Sequence, residues 1–458
     1  MTDIGQIERE AVGSIWTQSR AMEHLIALCD GFGGRFAGSS LELQAGDYLL
    51  QHLQALGLDH VHAEPFHYLG WERGPSSLAL VSPVERPLDA VGLPGSPPHE
   101  LTANLVSVGD GEEEEYVRVG DRLRGMVALC NAESQRPGGR ASSHRRAKYL
   151  RAVAAGASGF LYVSQNPGML AVTGGLASAA AAPIPGYGLS YETGAALERL
   201  LSRGAVTVRL QGEHRLPEVI SRNLVADLPG RGEQGGVVVV GAHYDGHDIS
   251  QAAADNGSGV VSVLEIARVL APYRGQFART VRFLFFGSEE MGLIGAWRYV
   301  RLHRGAASSM ACMLNLDTVV AGAPGGLRVH CGNSPDLASL VRAAAQQGVD
   351  VEVDEQLSTA SDHFPFSTLG IPVATVGATT GRTGLVGRGW GHTTADTVDK
   401  VEPSALRHAA AVGTQLLLRL AQAETLPPHT TAEEVRHLLQ RTGAVGAAER
   451  GSRLELRD

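Results

Sequence analysis

Lysine is nearly absent from this chain. Of 458 residues only Lys148 and Lys400 are lysine, against 37 arginines. With abundant alanine and glycine, this points to a GC-rich bacterial coding sequence. Cysteine is scarce as well. Cys29, Cys130, Cys312 and Cys331 are scattered, with no CxxC spacing, which argues against a cysteine zinc knuckle or a redox dithiol. Buried free thiols in a reducing compartment are expected. No apolar stretch is long enough to span a bilayer. The start, "MTDIGQIEREAVGSIW", lacks a basic region followed by an apolar run, so no signal peptide is read there and a cytoplasmic location is expected. Basic excess is missing too: the net charge is −9 and is spread along the chain, which gives no support to nucleic acid or an anionic membrane as partner.

What remains is the composition of a globular protein, 43% hydrophobic and 19% charged, long enough for more than one domain. One helix is predicted over "QIEREAVGSIWTQSRAMEHLIALCD". The glycine-rich "GFGGRFAGSS" follows. No strand precedes it, so it is not a dinucleotide loop. A second helix covers "LELQAGDYLLQHLQALG", and "HVHAEPFHYLGWERG" reads as a strand whose three histidines lie on one exposed face. Composition shifts near "GLPGSPPHE". From residue 100 to 212 the strands are short and the turns frequent, as for an inserted module without chemistry of its own.

After "SRNLVADLPG" the pattern becomes regular. Apolar strands "GGVVVVGAHYD", "RTVRFLFFGSEE", "SMACMLNLDTVV" and "GIPVATVGAT" alternate with helices, ending in "EPSALRHAAAVGTQLLLRLAQAE". Strands that are apolar throughout and alternate with helices predict an α/β fold with a mostly parallel central sheet covered by helices. The expected divisions are 1–99, 100–212, 213–425 and a tail, 426–458, with one helix behind a Thr431–Glu434 capping box.

In such sheets chemistry collects beyond the carboxyl ends of the strands. Those ends carry His243 and Asp245, Glu289 and Glu290, and Asp317. Asp255 opens a helix and His392 sits in the loop "GWGHTTADT". Each alone has a plainer explanation: a solvated turn, a helix cap, a satisfied histidine. Together they are the nitrogen and carboxylate donors that zinc accepts. Two zinc ions need one bridging carboxylate and about two further ligands each, and His243, Asp255, Glu290, Asp317 and His392 supply that number. Glu289 is left over beside a ligand and is the candidate general base. Asp245 is placed to accept the second N–H of His243, and Asp396 to do so for His392 or to cap a helix.

The series "GAHYD…ADNGSG…FGSEEMGL…NLD…SDHFPF…GHTTADT" resembles the co-catalytic zinc aminopeptidases related to bacterial leucyl aminopeptidase. "CDGFGGRFAGS", "GLDHVHAEPF" and "RAVAAGASGFLYV" make the chain more similar to the carboxypeptidase Q-like members, which carry an inserted protease-associated (PA) domain. The resemblance implies His243 and Asp317 on one zinc, Glu290 and His392 on the other, Asp255 bridging and Glu289 as base. It implies a di-zinc exopeptidase acting on peptides or dipeptides, and a homodimer. The family's usual tyrosine before the last histidine is Gly391 here, and its proline two residues after is Thr394. The tyrosine's task of holding the tetrahedral intermediate then falls to Trp390 or to a zinc. Thr318 replaces a frequent methionine, which argues against the apolar side-chain pocket of the leucyl enzymes. Two rivals are a one-zinc cyclotransferase of the glutaminyl cyclase type and a non-catalytic binding protein. The latter class typically loses ligands or the base, and this chain keeps all six residues.

Overall fold

The computed structural model describes residues 3–132, 142–231, 236–320, 326–379 and 389–456. In chain order, α1 (Ile4–Gln18), α2 (Ala21–Phe32), α3 (Ser40–Ala55) and β1 (Asp59–Leu69) come first. Then follow β2 (Ser76–Ser82), β3 (Arg86–Leu88), β4 (Ala90–Gly92), β5 (His99–Ser107), α4 (Glu113–Val119), β6 (Val127–Asn131), α5 (Arg145–Ala154), β7 (Gly159–Val163), β8 (Gly186–Leu189), α6 (Tyr191–Leu201) and β9 (Thr207–Gly212). The regular stretch holds β10 (Glu218–Leu228), β11 (Val237–His243), α7 (Ser258–Leu270), β12 (Thr280–Phe286), α8 (Ile294–Leu302), β13 (Met310–Leu316), β14 (Leu327–His330), α9 (Pro335–Gln346), β15 (Glu352–Asp354), α10 (His363–Thr368), β16 (Val373–Ala378) and α11 (Pro403–Gln422). The tail forms α12 (Ala432–Thr442) and α13 (Val445–Ser452).

Two compact units result: Met1–Tyr68 with Ile220–Gly391 and Asp396–Asp458, and Leu69–Val219 with His392–Ala395. The first unit's sheet runs β1-β10-β12-β11-β13-β16-β14-β15. β12, β11, β13 and β16 are parallel to their neighbours in that run, while β10 and β14 join antiparallel. The parallel centre is apolar on both faces: Val238, Val239, Val240, Phe283, Leu284, Phe285 and Leu314 are fully buried. Helices α7 and α11 belong to the core on which the even-numbered valines of β11 pack. The covered, mostly parallel sheet predicted from the sequence is the one observed.

Four local readings change. The single predicted first helix is two. Ser19 is extended (φ −60°, ψ 136°), its Oγ accepts from Ala21 N at 3.2 Å, and Arg20 N donates to the buried Glu265 carboxylate on α7 at 3.4 Å. A local side-chain cap and a tertiary acid together outcompete helix continuation. On β1, His60 and His62 are exposed, while His67 is only partly so and lies between the buried Phe66 and Tyr68. β10, β14, β15, α10 and α13 were not predicted; β14 and β15 have only four and three residues, too few for a period to show. Finally, the compact unit that contains the 100–212 stretch also takes in the residues from Leu69 to 99 and from 213 to Val219.

The last difference has a simple cause. The second unit's sheet runs β3-β2-β9-β5-β6-β7-β8-β4. β2 pairs with β9 from Ser76↔Gly212 onward and β4 with β8, so the strands before residue 99 are part of the same sheet. The proline-rich shift marks a turn inside that sheet. β5 to β8 are parallel, and α5 packs its Tyr149 and Ala152 into the unit's core with Phe160.

Candidate metal centre

Sheet register alone brings the first donors together. β11 and β12 run parallel with His243 opposite Phe286, and β11 and β13 with Gly241 opposite Asn315. His243, two residues on from Gly241, is therefore level with Asp317. Its Nε2 lies 3.4 Å from Asp255 Oδ1 and 3.7 Å from Asp317 Oδ1, and one donor atom of each of the three lies within 4.8 Å of the others. His243 Nδ1 points the other way, 3.2 Å from Asp245 O and 3.5 Å from Asp245 Oδ1. A carbonyl can only accept, so Nδ1 carries the proton and Nε2 the lone pair, the tautomer a metal needs.

Asp255 sits before α7 on backbone that is not helical (φ −113°, ψ 94°). Asp396 fixes it: Oδ1 accepts from Ala254 N at 2.7 Å and Oδ2 from Asp255 N at 3.1 Å. Burial pushes the Asp396 carboxyl up to about 7 against the pull of those two bonds. Of the two roles the sequence left open for Asp396, partner of His392 or cap of a helix start, the structure shows its carboxylate on the backbone amides of Ala254 and Asp255 before α7. Asn256 ties this turn to β13: its Oδ1 accepts from Gly259 N and Thr318 N, both at 3.0 Å, and its Nδ2 donates to Leu316 O at 2.9 Å. Thr318 Oγ1 donates to Asp317 Oδ1 at 3.0 Å, so the threonine orients that carboxylate.

The adjacent acids are held by Asp245. Its Oδ1 accepts from Glu289 N at 2.9 Å and its Oδ2 from Glu290 N at 3.1 Å. One carboxylate at the end of β11 therefore sets the backbone of both glutamates after β12, besides facing His243. The two side chains then differ. Glu290 Oε2 is 2.9 Å from His247 Nε2. The Glu289 carboxylate accepts no hydrogen bond from a described residue. Burial raises its proton affinity well above the ordinary carboxylate range; His243 opposes this, and Glu290, Asp362 and Asp317 add to it.

Sequence reasoning passed over four residues. Glu42 at the start of α3 is wholly buried. Its Oε1 accepts from Ser288 N, Ser288 Oγ and Ser221 Oγ, and its Oε2 from Gly38 N. Burial, then Asp245, pushes it up to about 8. Arg35, also fully buried, donates to the carbonyls of Tyr244, Gln251 and Ala252, which gives the glycine-rich loop its task of clamping the segment after β11. His247 lies in that clamped segment. Asp362 is completely buried, and among the described residues neither of its oxygens has a hydrogen-bond partner; burial drives its carboxyl well above the usual range, against His243 and with Asp245, Asp317 and Glu290. His247 and Asp362 stood inside stretches already singled out, "GAHYDGHD" and "SDHFPF". Glu42 and Arg35 carried no local signal.

His392 opens the short segment grouped with the second unit. It is buried, with φ +63°. Its Nδ1 lies 3.1 Å from Thr173 O, while its own carbonyl accepts from Thr173 N at 2.8 Å. That again leaves Nε2 as the donor nitrogen.

The donors suit a divalent cation. Burial pulls the His243 proton affinity down, yet Glu289, Asp245, Asp255 and Asp317 outweigh it and raise it well above the ordinary value. A buried site that tries to protonate a histidine is short of positive charge. Imidazole nitrogen with carboxylate oxygen is a set that zinc accepts.

Residues 223–417 match the family described as "Peptidase family M28" and residues 101–197 that described as "PA domain". Among individual proteins, the chain is 28% identical over 316 residues to carboxypeptidase Q of Bos taurus, covering 66% of this chain and 65% of that protein. It is 26% identical over 409 residues to aminopeptidase YwaD of Bacillus subtilis (strain 168), covering 87% and 84%. The solved structure of BSAP, a zinc aminopeptidase from Bacillus subtilis, aligns over 88% of this chain and 95% of its own at 25% identity, with a TM-score of 0.66. The chain spans slightly less than two thirds of the length of the carboxypeptidase Q relatives.

Proposed function

We propose that this chain is a zinc-dependent exopeptidase that hydrolyses a terminal peptide bond of peptides or dipeptides. The observation that carries it is the division between two neighbouring glutamates. Glu290 is engaged with a histidine at 2.9 Å, next to a set of His243, Asp255 and Asp317 within 4.8 Å. Glu289 is held beside them with no hydrogen bond to its carboxylate among the described residues. A pair of solvated acids in a turn has no need of Asp245 and Glu42 beneath it.

His243 and Asp317 would hold one zinc, Glu290 and His392 the other, with Asp255 between them; the last histidine enters by its motif position. Bound zinc supplies a Lewis acid for the scissile carbonyl and acidifies water. Glu289, its proton affinity raised by burial, takes the water's proton and passes it to the leaving amine. Asp245 keeps Glu289 and Glu290 in place through their amides and faces His243 Nδ1. The relatives' names support both amino-end and carboxy-end trimming. A homodimer is part of the same proposal, as is a reducing, cytoplasmic setting, which four buried, unbridged cysteines favour.

Two substitutions test the division. Glu289→Gln removes the base and no ligand: metal content by elemental analysis should stay near two per chain. kcat on dipeptides should fall by about 10²–10⁴-fold with little change in KM. Glu290→Gln should lose one ion and recover partly with added zinc. Metal loss from the first variant and retention by the second would reverse the roles. A saturated wild-type content of one would remove the two-metal reading.

A further inference from the structure

The segment after β11 carries a second histidine that the family assignment above leaves without a role. We propose that His247 is a direct ligand, adding an imidazole nitrogen to the zinc site of Glu290. The inference rests on the two-zinc reading and deepens it.

Distance is the first argument. Two donors bound to one tetrahedral zinc at about 2.0–2.2 Å stand roughly 3.3 Å apart. His243 Nε2 is 3.4 Å from Asp255 Oδ1 and 3.7 Å from Asp317 Oδ1. His247 Nε2 is 2.9 Å from Glu290 Oε2, a hydrogen-bond separation a few tenths of an ångström shorter than that spacing, so only a small parting of the two would seat an ion between them. Both side chains of the pair are 3% exposed.

The second argument is how firmly the ring is placed. Arg35 bonds the carbonyls of Tyr244, Gln251 and Ala252, on both sides of His247. Gly246 N donates back to Arg35 O at 3.0 Å. The neighbouring loop comes so close that a Cβ on Gly34 would lie 2.8 Å from His247 O. Phe36 from the same loop stacks on the imidazole, with ring centroids 6.2 Å apart and 29° between planes. A backbone clamp, a close glycine contact and an aromatic face hold Nε2 on the Glu290 carboxylate. A charged surface pair would not need such fixing, and a ligand does.

The chemical consequence concerns metal choice. An additional imidazole moves the Glu290 site from oxygen-dominated toward nitrogen-rich. That favours zinc or cobalt over magnesium or manganese, and it reduces the positions left open for substrate at that ion.

The test is metal binding with a spectroscopic readout. Wild type, His247→Gln and His247→Asp, each checked for folding by circular dichroism, are titrated with zinc and separately with cobalt(II). Wild type should take two equivalents. His247→Gln should bind the second equivalent at least tenfold more weakly, and the visible cobalt bands of that equivalent should change. His247→Asp, which restores a donor, should recover the second equivalent with bands unlike wild type. Unchanged cobalt bands in His247→Gln, even with weaker binding, would make the histidine a hydrogen-bonding neighbour of Glu290 and overturn the proposal. Fewer than two equivalents in wild type would instead overturn the two-metal reading beneath it.

Discussion

Glu42 shows how much of this site depends on a single side chain. It takes hydrogen bonds from Ser288 N, Ser288 Oγ, Ser221 Oγ and Gly38 N at 2.7–3.1 Å, and Tyr68 OH donates to Ser288 Oγ at 2.9 Å. Ser288 has φ +57°, a left-handed conformation that a non-glycine residue adopts only when its surroundings impose it. Glu42 imposes it from 246 residues away, and so sets the direction in which the chain enters Glu289 and Glu290. Glu42→Ala should leave buried donors without partners, a loss of about 1–3 kcal/mol for each one left unsatisfied. Urea unfolding should show it directly. Because Glu42 touches neither donor set, the metal count should stay at two while kcat falls. A variant with wild-type kcat and stability would show that Asp245 suffices to hold the turn.

At the scale of elements, α2 and α3 are joined by an aromatic and histidine contact. His24 Nδ1 is 2.7 Å from Tyr48 OH, and the His24 ring lies 4.6 Å from that of His52, edge to face. Burial, with His52 and Arg20 adding, depresses His24 to about 4 from 6.5. The folded chain therefore keeps His24 neutral where the unfolded chain has begun to protonate. The stability contribution is complete above about 6.5 and is lost as pH falls through that window toward about 4. His24→Gln should flatten this dependence: urea midpoints measured in metal-free buffer from neutral to acid pH should fall less steeply than in wild type. Parallel curves would exclude His24 as the titrating group. The same elements show what periodicity conveys. α3, α7 and α11 were legible because each places apolar residues at helical spacing. The break between α1 and α2 was not, since it depends on Glu265 of α7 accepting from Arg20 N.

At the scale of the molecule, connectivity follows sheet membership. Cutting the chain at residues 100 and 212, where composition suggested a boundary, removes β9 and β8. It leaves β2, with six partners on β9, and β4, with three on β8, as unpaired edges. Excision between Leu69 and Val219 removes all of the second unit except His392–Ala395. The prediction is asymmetric: with a short linker, the wider excision should give soluble protein that binds at least the zinc of His243, Asp255 and Asp317, all in the remaining unit. The narrower excision should aggregate through its exposed strands. Equal solubility of the two would show that the pairing of β2 to β4 does not define the unit's border. Sedimentation of the intact chain tests the proposed dimer.

What the sequence determined by itself is the chemistry and the order of its carriers. Apolar runs ending in His243, in Glu289 and Glu290, and in Asp317 mark parallel strands with donors at one end, because a strand buried on both faces needs no polar residue until it leaves the sheet. Asp245 was legible for the same reason, two residues beyond His243. Tertiary structure alone decided how those donors are held. Glu42 reaches Ser288, Arg35 clamps the segment of His247, and Asp396 anchors Asp255 across 141 residues. Each of these is one polar group satisfied by a partner far along the chain. Hydrophobic periodicity leaves a repeated trace in sequence, but a buried hydrogen bond leaves only two isolated residues, and nothing in the sequence says which two will meet.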